Sequence, residues 1–114
     1  MARLSTHVLD TARGRPAAGM RVRLFAIENE IRRLLKTAST NADGRTDAPL
    51  LAGERIETGV YELEFAVADY FDLPGEPPPF LGEVVVRFGV SDPEGTYHIP
   101  LLVSPYGYST YRGS

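Results

Sequence analysis

Two histidines, one arginine beside a tight turn and a tyrosine-rich C-terminal stretch are the side chains best suited to chemistry near neutral pH. The histidines are His7 and His98, the only two in the chain. A neutral imidazole with an ordinary pKa near about 6.5 suits proton transfer close to neutrality. Arg45 follows the turn residues Asp43-Gly44, where a fixed guanidinium fork can meet a carbonyl or an anionic ring. The tail from Ser104 to Ser114 carries Tyr106, Tyr108 and Tyr111 and shows no polar fraying segment. With no cysteine, disulfides, zinc thiolate sites and cysteine nucleophiles are excluded. A metal-dependent amidohydrolase needs more histidine ligands than these two, and no carboxylate has ligand-like spacing near either. Taken singly, each feature has an ordinary reading: surface histidines, a solvated loop arginine, aromatic packing along an edge strand.

Strands must position these groups. In Leu4 to Asp10, Leu4, Thr6 and Val8 share one face, which puts His7 on the other face with Ser5 and Leu9. In Tyr97 to Ser104 the apolar set is Tyr97, Ile99, Leu101 and Val103. His98 therefore points away from the core, alongside Pro100, Leu102 and Ser104. Leucines on those outward faces imply cover from another subunit.

The rest of the chain repeats the period of two. Met20, Val22, Leu24 and Ala26 alternate with Arg21 and Arg23, and Tyr61, Leu63, Phe65 and Val67 with Glu62 and Glu64. Glu28 to Lys36 is ambiguous, because Ile31, Leu34 and Leu35 also suit two helical turns; Leu34 to Thr40 reads as strand. Asn41 to Gly44 and Asp92 to Gly95 are turns. Ala68 to Leu73 reads as a short helix, stopped by the loop Gly75 to Pro79. Phe80 to Val90 is β-rich, with Val84, Val86 and Phe88 expected to be buried. Pro105 separates the strand ending at Ser104 from a last one, Tyr106 to Arg112. The pattern predicts an all-β, two-sheet sandwich of roughly seven to eight strands with one short helix.

Size and charge narrow the class. One domain over residues 1–114 is expected from the length. Hydrophobic residues at 43% and charged residues at 24% are globular values that argue against disorder. A net charge of -3 argues against nucleic acid as the main partner. No stretch approaches the roughly 18 apolar residues of a membrane span. Met1 to His7 lacks a signal-peptide apolar run, so a cytoplasmic protein is expected; a mature periplasmic form would look the same.

Four segments together carry a resemblance. They are Leu4-Ser5-Thr6-His7-Val8-Leu9-Asp10, Thr40-Asn41-Ala42-Asp43-Gly44-Arg45, Tyr97-His98-Ile99-Pro100-Leu101-Leu102-Val103-Ser104-Pro105-Tyr106 and Tyr111-Arg112-Gly113-Ser114. In this order the chain resembles the 5-hydroxyisourate hydrolases, the transthyretin-like proteins of urate breakdown. The terminal tetrapeptide is the most specific element, because hormone-carrying transthyretins lack it. No key position departs from the family pattern.

The resemblance implies a transthyretin-like β-sandwich assembled as a homotetramer, two dimers facing each other, with the histidine faces lining a channel between them. It implies hydrolytic opening of a ring amide of 5-hydroxyisourate to 2-oxo-4-hydroxy-4-carboxy-5-ureidoimidazoline, with no metal or other cofactor. His7, Arg45, His98 and Ser114 carry over as catalytic residues, and Arg45, Tyr111, Arg112 and Gly113 as substrate-binding ones. Within that scheme His98 is the expected water-activating base and His7 its partner or proton donor, a division the sequence leaves open. Arg45 would hold the carbonyl or anionic edge and stabilise developing charge, and Ser114 would orient water or a histidine. The rival readings are a transthyretin-like carrier of a small aromatic ligand and an adhesive sandwich domain. A sugar-binding platform lacks the tryptophan it would need.

Overall fold

The alternating segments become two stacked sheets. The computed structural model describes residues 1–114. Its elements are β1 (Ala2–Asp10), β2 (Arg15–Pro16), β3 (Arg21–Glu28), β4 (Ile31–Ser39), β5 (Leu51–Gly53), β6 (Gly59–Phe65), α1 (Val67–Phe71), β7 (Val84–Val90), β8 (Thr96–Ser104) and β9 (Gly107–Thr110). The first sheet runs β2-β1-β8-β9, with β5 also on β1, and the second runs β4-β3-β6-β7. This is the expected sandwich with one short helix. The short pieces β2 and β5 add pairings that no alternation signals, because two or three residues are too few to show a period.

Between the sheets lies one cluster of 20 buried apolar residues. Leu4 and Val8 from β1, Val22 and Leu24 from β3, Leu63 and Phe65 from β6, and Leu101 and Val103 from β8 are all fully buried. Each such side chain contributes about 1.5–3 kcal/mol relative to exposure. The core therefore fixes which faces of β1 and β8 are left outside.

The ambiguous segment from Glu28 is a hairpin, and no helix forms there. Asn29 (φ 52°) and Glu30 (φ 66°) make a two-residue turn whose twist matches the flanking strands, and Glu28 pairs with Ile31 across it. Ile31 and Leu34 stay 68% and 52% exposed on the edge strand β4, so there is no apolar stripe for a helix to bury. Phe25 is instead covered by Arg23 and Arg32, whose guanidinium carbons lie 5.4 and 3.8 Å from its ring centre. Arg23 and Arg32 pair with Glu64, and Arg32 and Arg87 with Glu62, which explains how these two carboxylates, Glu62 and Glu64, can be only 7% and 5% exposed.

Three further expectations need correction. Val84 is buried, but Val86 and Phe88 are only half-buried because β7 is a sheet edge. Leu9 and Leu102 are half-buried rather than exposed, since they are register partners on adjacent strands. The last strand is shorter than Tyr106 to Arg112, ending at Thr110. No helix is long and apolar enough to cross a membrane.

Candidate active site

β1 and β8 are parallel neighbours, the only parallel pair in the fold. Their register sets Ser5 against His98 and His7 against Pro100. With Leu4, Thr6 and Val8 turned into the core, Arg3, Ser5 and His7 share the outer face of β1. His7 Nδ1 lies 2.7 Å from His98 Nε2, and His98 Nδ1 lies 2.8 Å from Ser5 Oγ. Only one hydrogen can occupy each of these bonds, so the three groups form a directional chain. When His98 Nδ1–H donates to Ser5, His98 Nε2 accepts from His7 Nδ1–H. The lone pair of His7 Nε2 is then the open end.

His98 is not the surface side chain its strand position suggests. It is 9% exposed, covered by the His7 ring at 5.0 Å between centres and by the tail. Both of its nitrogens are engaged, whereas His7 is half-exposed and its Nε2 has no protein partner.

A short loop delivers Arg45. The Asn41 side chain accepts from the Asp43 and Arg45 backbone N–H groups, and Asn41 N–H donates to the Arg45 carbonyl at 2.7 Å. The closed loop docks on β1 through Val8 N–H to the Gly44 carbonyl, 2.8 Å. Gly44 has φ 76°, and a Cβ there would lie 2.4 Å from the Val8 carbonyl oxygen. No other residue fits this approach. The result is a backbone bridge between His7 and Arg45.

The tail closes the other side. Gly113 forms a bridge with His98, its N–H donating to the His98 carbonyl at 2.7 Å. Tyr111, Gly113 and Ser114 line a cavity of about 290 Å³ together with His7, His98 and Arg45. Arg112 does not line it. Its guanidinium donates to the Thr96 carbonyl at 3.0 Å and sits 4.3 Å above the Tyr97 ring, beside a neighbouring apolar cavity bounded by Val86, Phe88 and Ile99. Larger hollows elsewhere on the surface contain no histidine.

Electrostatics favour neutral histidines. Burial lowers the pKa of His7, and the Arg45 charge lowers it further. Burial does the same to His98, followed by His7, Arg45 and Arg3. Neutral imidazoles beside a guanidinium with no side-chain partner can supply a base and an oxyanion partner, the two parts amide hydrolysis requires. No group of three or more His, Cys, Asp or Glu side chains is arranged to hold a metal ion.

Sequence reasoning brought His7, Arg45, His98, Tyr111, Gly113 and Ser114 to one cavity, but passed over Ser5, Arg3, Thr96 and Pro100, which also line it. The signal for Arg3 and Ser5 was present, because both share the outward period of His7.

Comparison with known proteins places the chain in a family. The chain is 55% identical to a protein described as 5-hydroxyisourate hydrolase from Ralstonia nicotianae, covering 100% of both chains. The solved structure of Klebsiella pneumoniae 5-hydroxyisourate hydrolase is 34% identical and superposes over the full length of both chains with a TM-score of 0.81. A crystal structure of (S)-allantoin synthase is 41% identical with a TM-score of 0.88, and this chain spans 44% of that longer one. A model of the HIUase/Transthyretin family matches residues 4–113, and the chain belongs to that family.

Proposed function

We propose that this protein hydrolyses 5-hydroxyisourate, opening a ring amide to give 2-oxo-4-hydroxy-4-carboxy-5-ureidoimidazoline, a step of urate catabolism. The observation that carries the chemistry is the Ser5–His98–His7 chain, open at His7 Nε2 in the cavity shared with Arg45. This reverses the order of histidines expected from the sequence. His98 has no nitrogen left for a water, so His7 is the base and His98 the relay behind it.

In the proposed step, water attacks the ring carbonyl while His7 Nε2 takes its proton. Charge on the resulting imidazolium spreads through His98 Nε2 towards Ser5. The Arg45 guanidinium receives the oxyanion as the tetrahedral carbon forms. Collapse breaks the C–N bond, His7 returns the proton to the departing nitrogen, and the new carboxylic acid loses its remaining proton to solvent to leave a carboxylate. Tyr111, Gly113 and Ser114 complete the wall that orients the ring.

Residues 1–114 act as one domain in this proposal, supported by a core that both sheets share. A homotetramer of two facing dimers is also part of it. Support comes from Tyr106, Tyr108 and Tyr111, exposed by 68%, 48% and 57%, and from the unpaired edge of β9.

The test is a spectrophotometric assay that follows freshly generated 5-hydroxyisourate with and without the protein. Faster decay with the protein is expected. Decay at the spontaneous rate, with tight binding of the ligand, would instead mark a carrier. Light scattering checks the assembly, and a stable monomer would overturn the tetramer.

A further inference from the structure

Arginine in this chain is normally neutralised. Of eleven arginines, seven are held by carboxylates: Arg13, Arg21, Arg23, Arg32, Arg33, Arg55 and Arg87. Arg112 is occupied by a carbonyl and a tyrosine ring. That leaves Arg3, Arg15 and Arg45 with no acceptor for their guanidinium groups. Two of these three, Arg3 and Arg45, border the His7–His98 cavity, and no Asp or Glu side chain lines it.

Their placement is not symmetrical chance along a flexible loop. The Arg3 backbone is fixed between β5 and β8, in register with Ala52 and Thr96, and its N–H donates to the Gly95 carbonyl at 3.1 Å. Arg45 is bridged to His7. The two cations therefore flank the proton chain from opposite ends: Arg3, then Ser5 with His98, then His7, then Arg45. The step of four positions from Arg3 to His7 spans roughly 13 Å of strand. Both positive charges also help hold His98 neutral.

We propose that Arg3 is a second substrate-binding cation, which with Arg45 attracts and orients an anionic cyclic ureide over His7. This rests on the hydrolase reading for its substrate but not for its anion preference. A pair of guanidinium groups that no Asp or Glu side chain neutralises, in a hollow lined by neither residue type, selects anions by field as well as by contact.

The experiment measures kcat and KM for the intact protein, Arg3→Gln, Arg3→Glu and Arg15→Glu, together with calorimetric binding of urate as a non-hydrolysed monoanionic probe. Arg15 is the charge-matched control, at the far end of β1 and outside the cavity. At low ionic strength, Arg3→Gln should raise KM and the urate Kd about 3-fold and Arg3→Glu about 10-fold, with kcat kept within about 2-fold. Near 0.5 M salt the gap should shrink, because screening then acts over only a few ångströms. Arg15→Glu should match the intact protein. Unchanged KM and urate affinity in Arg3→Glu, or an equal shift in Arg15→Glu, would overturn the role of Arg3 while leaving the hydrolase intact. An intact protein that binds urate through Arg3 without opening 5-hydroxyisourate would overturn the hydrolase and keep the anion site. Neither binding nor turnover would overturn both.

Discussion

His98 gives both ring nitrogens to the protein, and His7 is the partner that receives one of them, 91 residues away in sequence and 2.7 Å away in space. The parallel pairing of β1 with β8 makes this meeting possible, because it brings His98 level with Ser5 and two positions short of the residue facing His7. One histidine is thereby held from behind and the other is free to act. In the proposed mechanism the pair acts as a single base with a relay, so its two members are not interchangeable.

Replacing His7 by Gln should lower kcat by about 10²–10⁴-fold, the usual contribution of a positioned base. His98→Gln should cost a similar factor, because the relay loses its acceptor. Glutamine is preferable to alanine at His98, which is 9% exposed and whose truncation would leave a hole. Steady-state turnover with a melting curve for each variant is the check. Near wild-type turnover in His7→Gln would remove it from the mechanism and return the base to His98.

Ser5→Ala removes the partner of His98 Nδ1. An unsatisfied buried nitrogen costs about 1–3 kcal/mol, which His98 can avoid by changing tautomer or turning. We expect kcat to fall by about 10-fold, Ser5→Thr to recover most of it, and the imidazole nitrogen NMR signals of His98 to report an altered tautomer. Wild-type signals with wild-type kcat in Ser5→Ala would show that the hydroxyl only fills space.

The alternation of Leu4, Thr6 and Val8 made the outward position of His7 legible before any coordinates, and Tyr97, Ile99 and Leu101 did the same for His98. What alternation cannot carry is which strands are neighbours. The β1–β8 pairing joins segments separated by the whole second sheet, so the burial of His98 and its two hydrogen bonds were invisible. Likewise the resemblance implies a substrate contact for Arg112, yet period and spacing say nothing about the Tyr97 ring beneath its guanidinium. The Asn29-Glu30 turn was missed for a local reason: it lacks the glycine that usually marks positive φ.

Activity should depend on pH through both histidines. Their folded pKa values lie below the ordinary 6.5, by burial first and then by the neighbouring charges. The neutral, active form therefore persists below 6.5, and the acid limb of kcat/KM should fall below that value. Linkage has the same sign: the unfolded chain binds these protons more readily, so stability is full above about pH 6.5 and is lost as pH falls through the depressed values. A pH–rate profile and thermal melts between about pH 4 and 8 test this. An acid limb at or above 6.5 would contradict the electrostatic account.

Exhaustive chelation should leave turnover unchanged. The proposed step uses His7 and Arg45 for the roles a metal would otherwise fill, and no cluster of three ligand-type side chains exists. Loss of activity with EDTA, restored by zinc, would defeat the metal-free mechanism.

Gly113→Ala tests whether the tail belongs to the catalytic apparatus or merely packs against it. A Cβ at this position would lie 2.8 Å from His98 Cδ2 and 3.1 Å from Pro100 Cγ. Neither neighbour can yield easily, since His98 is held at both ring nitrogens and the proline ring is rigid. The added methyl must therefore turn His98 off its partners or lift the tail, breaking the Gly113 N–H bond to the His98 carbonyl and drawing Ser114 from the cavity. Both outcomes displace catalytic groups by an ångström or so, which costs on the order of 10²-fold in rate. Stability should change little, because β9 ends at Thr110 and the tail lies outside the core cluster. Deleting Arg112 to Ser114 should reproduce the loss in a protein of unchanged melting temperature and oligomer size. If instead the truncated protein hydrolyses 5-hydroxyisourate at the intact rate, the tail is packing only. A slow Gly113→Ala beside a fast truncation would locate the damage in His98 alone.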